Sequence, residues 1–289
     1  MTENRYGIVV ISYKPPDLML DLIKQLIIFK GVYVYIVDSS PPDIQIELEE
    51  KINKIKSEYF QPRVSMIKTK NYGAGYSLNL GIKKCVEEGM KLITILDDDT
   101  ILVKENFNPD TIWNFFFSNL NPMKDVLILA QGISSEKIEF WVETGLTFTE
   151  DVFNVIQFRE DFIMDQIDLL FCLEVRRGGG RLVMYPSPVM QNLPVGREIN
   201  NNVPTLPIYR IYTLTRNALA FACEFRNKMI GFVFAIHEIS SWSFKAVQAK
   251  KGFIPVVRAI YLGILDFLRG EFGVTDTLQY LSSNRFSKV

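Results

Sequence analysis

The feature that most constrains the fold is the alternation of short, β-branched apolar runs with amphipathic helical patterns near the start of the chain. The apolar runs are predicted to be strands at 6–12, 32–37, 64–67 and 92–96. The patterns between them are predicted to be helices at 15–27, 44–59 and 77–89. Strands that alternate with helices form parallel βαβ units with right-handed crossovers. The sequence therefore predicts an α/β fold with a mostly parallel central sheet flanked by helices.

Polar and turn residues follow each of these strands, at 12–13, 38–40, 71–75 and 97–100. Ligands of open parallel sheets bind at the carboxyl ends of the strands, so we expect these segments to converge on one cleft. Beyond them the pattern is mixed, and the predicted elements are strands at 126–131, 139–149 and 181–185 and a helix at 161–177. From residue 203 nearly to the end, the chain is predicted to be helical.

Charge is distributed unevenly along the chain. The formal net charge is -1, which argues against a nucleic-acid binder that works by bulk charge. Residues 203–289 nevertheless carry 11 basic and 5 acidic side chains, so the preceding part is acidic. We therefore predict two domains, an acidic α/β domain at 1–202 and a basic, aromatic-rich helical segment at 203–289.

Several classes of site are excluded by residue counts. One histidine and three dispersed cysteines leave no zinc motif, no disulfide framework and little room for Ser-His-Asp chemistry. The polar first residues predict no signal peptide, and no apolar run reaches the roughly 20 residues of a spanning helix. We expect a cytoplasmic protein, with the inner face of the cell membrane as the alternative location.

The sharpest motif is the acidic run Asp97-Asp98-Asp99 directly after the apolar strand 92–96. Three adjacent carboxylates repel one another, and a divalent cation would neutralise them. Hard oxygen ligands suit Mg²⁺ or Mn²⁺, with a diphosphate completing the coordination shell. The alternative is an acidic turn that is exposed to solvent.

Two weaker motifs accompany the acidic run. The loop 71–81 carries Gly73 and Gly75 ahead of a helix, whose N-terminus could face a phosphate, although an ordinary βα turn has the same composition. In the predicted helix 161–177, Asp165 and Asp168 are three residues apart and would share one face. Asp168 could act there as a general base, or both residues could simply cap and support a first helical turn.

These pieces together resemble a known family. The series ISYKPP, IVDSS, NYGAGYSLNLGI, LDDDT and EDFIMDQIDLLFCLEVRRGGGR is similar to the family-2 glycosyltransferases, and most of all to their rhamnosyl- and galactofuranosyltransferase-like branch. The resemblance covers about residues 6–197, in the family's order. It implies a GT-A fold, Mg²⁺ or Mn²⁺, and a UDP- or dTDP-sugar donor. It also implies inverting transfer to an acceptor hydroxyl of a glycan or lipid-linked glycan.

The resemblance also implies roles for particular residues. Donor binding is implied for Ser12, Tyr13, Asp38, Asn71, Gly73, Asn79, Asp97, Asp98, Thr144 and Gly145. Ser12 and Tyr13 would hold the nucleobase, and Asp38 would read its edge. Asp99 and Asp97 would bind the metal. Asp168 would deprotonate the acceptor, and Asp165 matches the acidic residue just before it.

Two departures from the family pattern keep alternatives open. The segment 190–196 lacks the usual histidine metal ligand, so Gln191 or Asn192 is the candidate replacement, and Leu170 stands where an acidic residue is usual. His237 lies too far along the chain to substitute and is expected on a helix surface or in the core. The alternatives are a catalytically inactive nucleotide-sugar-binding subunit and a haloacid-dehalogenase-type phosphatase, whose nucleophile motif also follows a strand.

The C-terminal segment supports two interpretations. Its stretches 209–217 and 259–273 also resemble that branch, and 229–244 and 253–268 are predicted to be apolar helices. They could pack against the catalytic domain or against a second subunit in a homo-oligomer. They could instead lie on an anionic membrane through 228–269, because basic charge and aromatic side chains suit that interface.

Overall fold

A computed structural model describes residues 5–59, 63–103, 105–129, 144–192, 198–200 and 203–282. The strands are β1 (Tyr6–Ser12), β2 (Val32–Asp38), β3 (Val64–Lys68), β4 (Leu92–Asp97), β5 (Thr100–Leu102), β6 (Val126–Ile128), β7 (Leu146–Phe148), β8 (Leu182–Met184), β9 (Met190–Asn192), β10 (Glu198–Asn200) and β11 (Val203–Thr205). The helices are α1 (Leu18–Ile27), α2 (Pro42–Glu58), α3 (Ala74–Glu87), α4 (Pro109–Asn119), α5 (Glu150–Val155), α6 (Ile167–Arg177), α7 (Ile208–Glu224), α8 (Lys228–Gln248), α9 (Phe253–Arg269) and α10 (Asp276–Ser282).

The central sheet has seven strands in the order β3-β2-β1-β4-β7-β6-β8. Strands β3, β2, β1 and β4 are mutually parallel, β7 runs against both of its neighbours, and β6 pairs with β8 in parallel. The predicted α/β fold with a mostly parallel central sheet is therefore confirmed. All four strands predicted near the start of the chain are present.

Strand β1 is covered on both faces, which explains its continuous apolar sequence. On one face, Ile8 and Val10 belong to a buried cluster that includes the apolar stripe of α1. On the other face, α3 approaches so closely that a Cβ on Gly81 would lie 2.5 Å from Val9 Cγ1. Glycine at this position therefore sets how near α3 packs to the sheet.

The chain divides into two compact units. Unit 1 comprises Met1–Asn71, Tyr76–Arg159 and Asp168–Leu193, and unit 2 comprises Tyr72–Gly75, Glu160–Ile167 and Pro194–Val289. Unit 1 holds the seven-stranded sheet, and unit 2 holds α7, α8, α9 and α10. The division that the sequence predicted between residues 202 and 203 stays a prediction.

Helix α7 is the core of unit 2. Eleven of its residues are buried, and α8 and α9 both pack against it. Each contact uses a glycine, because a Cβ on Gly231 of α8 would lie 2.4 Å from the Ala222 carbonyl oxygen, and one on Gly263 of α9 would lie 2.8 Å from the Tyr212 carbonyl oxygen. The predicted helical C-terminal segment is thus present from Ile208 onward, and the short strand β11 precedes it.

The predicted helix 161–177 is wrong in its first turns. Helix α6 begins at Ile167, and Asp165 and Gln166 both adopt left-handed backbone with φ of 59° and 60°. Asp165 and Asp168 therefore do not share a helix face.

Parts of other predicted elements lie outside the described residues. The predicted strands 126–131 and 139–149 are present as β6 and β7, and residues 130–143 between them are not described. No helix among the described residues combines the length and apolar composition that crossing a bilayer requires.

Candidate functional site

The strand register brings the predicted polar segments of unit 1 to one edge of the sheet. Ser12 at the end of β1 is opposite Asp38 at the end of β2, and Asp38 is opposite Lys68 on β3. On the other side of β1, Ile11 is opposite Asp97. The first candidate donor residues therefore lie side by side because parallel strands end together.

Asp38 is the centre of a hydrogen-bond network at this edge. Its side chain is fully buried, and Oδ1 accepts hydrogen bonds from Ser12 Oγ at 2.9 Å and from Ser40 Oγ at 2.7 Å. Within the described part of the chain, Oδ2 accepts no hydrogen bond. Native proteins rarely leave a buried carboxylate oxygen without a partner, so this atom is a candidate ligand acceptor.

An open cavity of 450 Å³ lies beside this network. It is lined by Tyr13, Ser39, Ser40, Pro41, Pro42, Gln45, Lys68, Thr69, Lys70 and Asn71. Two of the candidate donor residues, Tyr13 and Asn71, are thus brought to one cavity, whose size is that of a small-molecule site. The sequence interpretation missed Lys68 and Lys70, although their position after the third strand was a usable signal.

The acidic run lies against the same edge. The backbone N–H of Tyr13 donates to Asp98 Oδ2 at 3.4 Å. Burial and the neighbouring Asp99 carboxylate raise the pKa of Asp98 to about 7. All three residues of the acidic run are partly buried, whereas the alternative of an acidic turn exposed to solvent predicts exposed residues.

Thr144 and Gly145 lie next to the acidic run. The Asp97 backbone N–H donates to Thr144 Oγ1 at 3.2 Å, and the Gly145 N–H donates to the Ile95 carbonyl at 3.0 Å. Gly145 has φ of 80°, and a Cβ there would lie 2.8 Å from Met190 Sδ, so the position requires glycine. The segment assigned to the donor sugar is thus held beside the end of β4.

The candidate metal ligands Asp97 and Asp99 lie at this edge, one at the end of β4 and one two residues beyond it. Mg²⁺ is usually held by one or two carboxylates together with substrate phosphates and water, and Asp97 and Asp99 offer that number. Strand β9 pairs with β5 so that Asn192 is opposite Thr100 and Gln191 is opposite Ile101. Both candidate replacements for the family histidine are therefore on the strand that adjoins the acidic run. Among the described residues, no group of three or more His, Cys, Asp or Glu side chains is arranged to hold a metal alone.

The glycine loop ahead of α3 packs closely against the backbone of Ile163. Gly73 has φ of 112°, and a Cβ there would lie 2.8 Å from the Ile163 Cα, so no other residue fits without a shift. The first amide of α3, on Ala74, donates to the Ile163 carbonyl at 2.7 Å. That amide is therefore already used, and the predicted contact of Gly73 with the donor stays a prediction.

Asn79 is buried, and the nitrogen and the oxygen of its side-chain amide both form hydrogen bonds with the backbone of Phe158 in unit 1. Its Nδ2 donates to the Phe158 carbonyl at 2.8 Å, and its Oδ1 accepts from the Phe158 N–H at 3.0 Å. The Phe158 ring stacks on Phe171 of α6 with 4.3 Å between centroids. Asn79 thus fixes the backbone that supports α6, and its predicted role in donor binding stays a prediction.

Asp168 lies in the first turn of α6 and is partly exposed. Complete burial of the Cys172 thiol, one turn further along, raises the pKa of that thiol, and the negative charge of Asp168 raises it further. Leu170, at the position where the family has an acidic residue, is buried and therefore does not face solvent or a substrate. The described side chains at this turn therefore offer one carboxylate, Asp168, for proton transfer.

The sequence and the fold of this chain were compared with those of known proteins. No protein-family model matches this sequence, and no curated protein matches it. S. aureus TarS, a GT-A-type glycosyltransferase, matches with 14% identity and a TM-score of 0.54, over 96% of this chain and 54% of the TarS chain. TarS 1-349 in complex with UDP-GlcNAc matches with 16% identity and a TM-score of 0.53, over 98% of this chain and 88% of that one. The fold is GT-A. The chain spans about half the length of the longer TarS structure.

Helix α7 of this GT-A protein holds the segment ahead of Asp168, which the sequence interpretation missed. In unit 2, Arg210 Nη2 contacts Asp165 Oδ1 at 2.6 Å and Thr213 Oγ1 donates to Asp165 Oδ2 at 3.0 Å. One turn on, Asn217 Nδ2 donates to the Met164 carbonyl at 2.5 Å. These bonds explain how two consecutive residues keep left-handed backbone, which costs free energy in residues other than glycine. The motif YRIYTLTRN at 209–217 was recognisable in the sequence, but only these tertiary contacts show that it binds the segment ahead of Asp168.

Replacing Arg210 with methionine is expected to lower the free energy of unfolding by about 2 kcal/mol, because the Asp165 carboxylate would stay buried without its cation. Arg177, whose ion pair with Glu174 is exposed, provides the matched control. Arg177→Met is expected to change the free energy by less than about 0.5 kcal/mol. Urea denaturation measures both, and equal losses in the two variants would contradict the role given to Arg210.

Proposed function

We propose that this protein is an inverting glycosyltransferase that moves a sugar from a UDP- or dTDP-sugar to an acceptor hydroxyl. The acceptor belongs to a glycan or to a lipid-linked glycan. One observation carries the proposal. At the carboxyl edge of the GT-A sheet, Ser12 bonds Asp38 and the next residue, Tyr13, bonds Asp98 beside an open cavity. The UDP-GlcNAc complex of TarS supports the same class of donor.

The cavity supports recognition of a pyrimidine. Tyr13 exposes 49% of its surface there, and an aromatic ring at that position can stack on a base. Asp38 Oδ2 would accept a hydrogen bond from the ring N–H of uracil or thymine. Since a buried acceptor without a partner destabilises the folded protein, that hydrogen bond would give specificity as well as affinity.

The diphosphate end of the donor would meet the acidic run. Asp97 and Asp99 would hold the divalent cation, with Gln191 or Asn192 as the further candidate ligand. A bound Mg²⁺ or Mn²⁺ supplies Lewis-acid stabilisation of the charge that develops on the leaving diphosphate. Lys70, exposed at the cavity, adds positive charge for the same anionic part of the donor.

Asp168 would act as the general base. The acceptor oxygen bonds to the anomeric carbon while the bond from that carbon to the diphosphate oxygen breaks, and Asp168 takes the hydroxyl proton. Attack from the face opposite the leaving group inverts the anomeric configuration. Asn79 and Phe158 would keep α6, and with it Asp168, in position.

A panel of nucleoside-diphosphate sugars tests the proposal. With Mn²⁺ present, UDP- or dTDP-sugars are expected to raise the melting temperature, whereas ADP- and GDP-sugars are not, because ligands of the native state stabilise it. The best donor is then incubated with acceptor glycans, and NMR reads the anomeric configuration of the product. Equal shifts with purine and pyrimidine donors, or a product that retains the configuration, would refute it.

Two carboxylate variants sharpen this experiment. Asp38→Asn keeps the size of the side chain and is expected to lose the pyrimidine-dependent shift. Asp43, exposed on α2, provides the control, and Asp43→Asn is expected to behave like the unaltered protein.

A further inference from the structure

The α8–α9 hairpin of unit 2 presents a surface that the proposed transfer reaction does not use. Four residues, 249–252, join the two helices, so the end of α8 and the start of α9 are neighbours. We call residues 244–258 the hairpin tip. It lies apart in sequence from every candidate donor and catalytic residue.

Large apolar side chains are exposed at the hairpin tip. Their exposed fractions are 63% for Phe244, 69% for Phe253, 77% for Ile254 and 45% for Val257. The exposure continues along one face of α9 at helical spacing, through Tyr261, Ile264 and Leu268. A continuous exposed apolar stripe of this kind marks a contact surface.

The charged residues of the hairpin tip have one sign. No acidic residue occurs between Glu238 and Asp266, whereas Lys245, Lys250, Lys251 and Arg258 lie in that interval. The two acids that bound the interval are themselves buried, at 8% and 2% exposure. Exposed charge at the tip is therefore cationic, and Lys245 Nζ lies 4.1 Å from the centroid of the Trp242 ring.

We propose that the hairpin tip docks on an anionic phospholipid membrane. Its apolar side chains would enter the boundary between headgroups and acyl chains, and its lysines and arginine would face the anionic headgroups. A second copy of the chain is the less suitable partner, because two tips in contact would bring cations of the same sign together. This proposal does not depend on the proposed function, because docking on a membrane needs no nucleotide sugar.

Vesicle flotation of the full chain tests the proposal. Vesicles of phosphatidylcholine with about 30% phosphatidylglycerol are expected to bind the chain. Vesicles of phosphatidylcholine alone are expected to bind it at least about fivefold more weakly, because each lysine or arginine near an anionic surface contributes about a fivefold gain in affinity. Raising the salt from about 0.1 M to about 0.5 M should weaken the binding because it screens the surface charge. Equal binding to both vesicles would overturn the proposal.

Two matched variants separate docking from a general loss of apolar surface. Ile254→Ser is expected to weaken vesicle binding by at least about tenfold. Val155 on α5 has nearly the same exposure, 78%, and Val155→Ser should bind as the unaltered chain does. Equal effects of the two substitutions would overturn the proposal. So would sedimentation without vesicles in which the chain is a dimer and Ile254→Ser is a monomer, since a second copy would then cover the surface.

Discussion

Replacing Asp168 with asparagine is expected to lower the rate of sugar transfer by about 10²- to 10⁴-fold, the range that a general base contributes. The amide has nearly the same size as the carboxylate but cannot accept the acceptor's proton. Affinity for the donor nucleotide should stay within about twofold, because a group that acts only in the transition state contributes little to ground-state binding. Initial rates and calorimetry on the same preparation measure the two quantities.

Glu174 provides the control on the same helix. Its side chain is 39% exposed and pairs with Arg177, so Glu174→Gln should leave the transfer rate unchanged. If Asp168→Asn transferred sugar at the rate of Glu174→Gln, Asp168 would not be the base. If it lost nucleotide affinity as well, its role would be in binding.

Replacing Asp99 with alanine is expected to weaken the Mn²⁺-dependent binding of UDP or dTDP by about 100-fold or more, because a change in an outer-shell partner of a metal site already costs about 10- to 100-fold. The reason is the loss of one of the two carboxylates that would bind the cation. Calorimetry with and without Mn²⁺ measures the difference. Equal affinity of the unaltered protein under both conditions would overturn the metal assignment.

The same substitution should act in the opposite direction on stability. The Asp99 carboxylate contributes to the raised pKa of Asp98, so the two charges repel in the folded protein. Above pH 7 and without metal, Asp99→Ala is therefore expected to be at least as stable to urea as the unaltered protein. Asp110→Ala, at an exposed position on α4, is the control for both measurements. A loss of stability in Asp99→Ala would show that Asp99 serves the fold instead.

Much of unit 1 could be predicted because local pattern and tertiary environment agree there. The strands β1, β2 and β4 consist mostly of buried apolar residues, and each ends in the polar residues that the sequence assigned to a cleft. Once the strands are parallel, their ends must meet. Ser12 beside Asp38 therefore follows from the order of elements alone.

The segment ahead of Asp168 could not be predicted in the same way. Its residues 161–166 have a helical pattern, and their spacing placed Asp165 and Asp168 on one face. The structure has left-handed backbone at Asp165 and Gln166, because Arg210, Thr213 and Asn217 bind this segment from more than 40 positions away. Long-range hydrogen bonds of this kind leave no local periodic signal.

The sequence by itself determined the α/β class, the chain order of the candidate donor residues and the basic charge of the C-terminal helical segment, since these depend on local periodicity and on counts of charge. Only the tertiary structure decided what each polar residue does. In the structure, the Asn79 amide forms hydrogen bonds with the backbone of Phe158, and Asp38 Oδ2 accepts none from the described residues. Glu238 and Asp266 are buried. The physical reason is that burial and hydrogen bonding depend on which distant segments meet, and local sequence does not record those contacts.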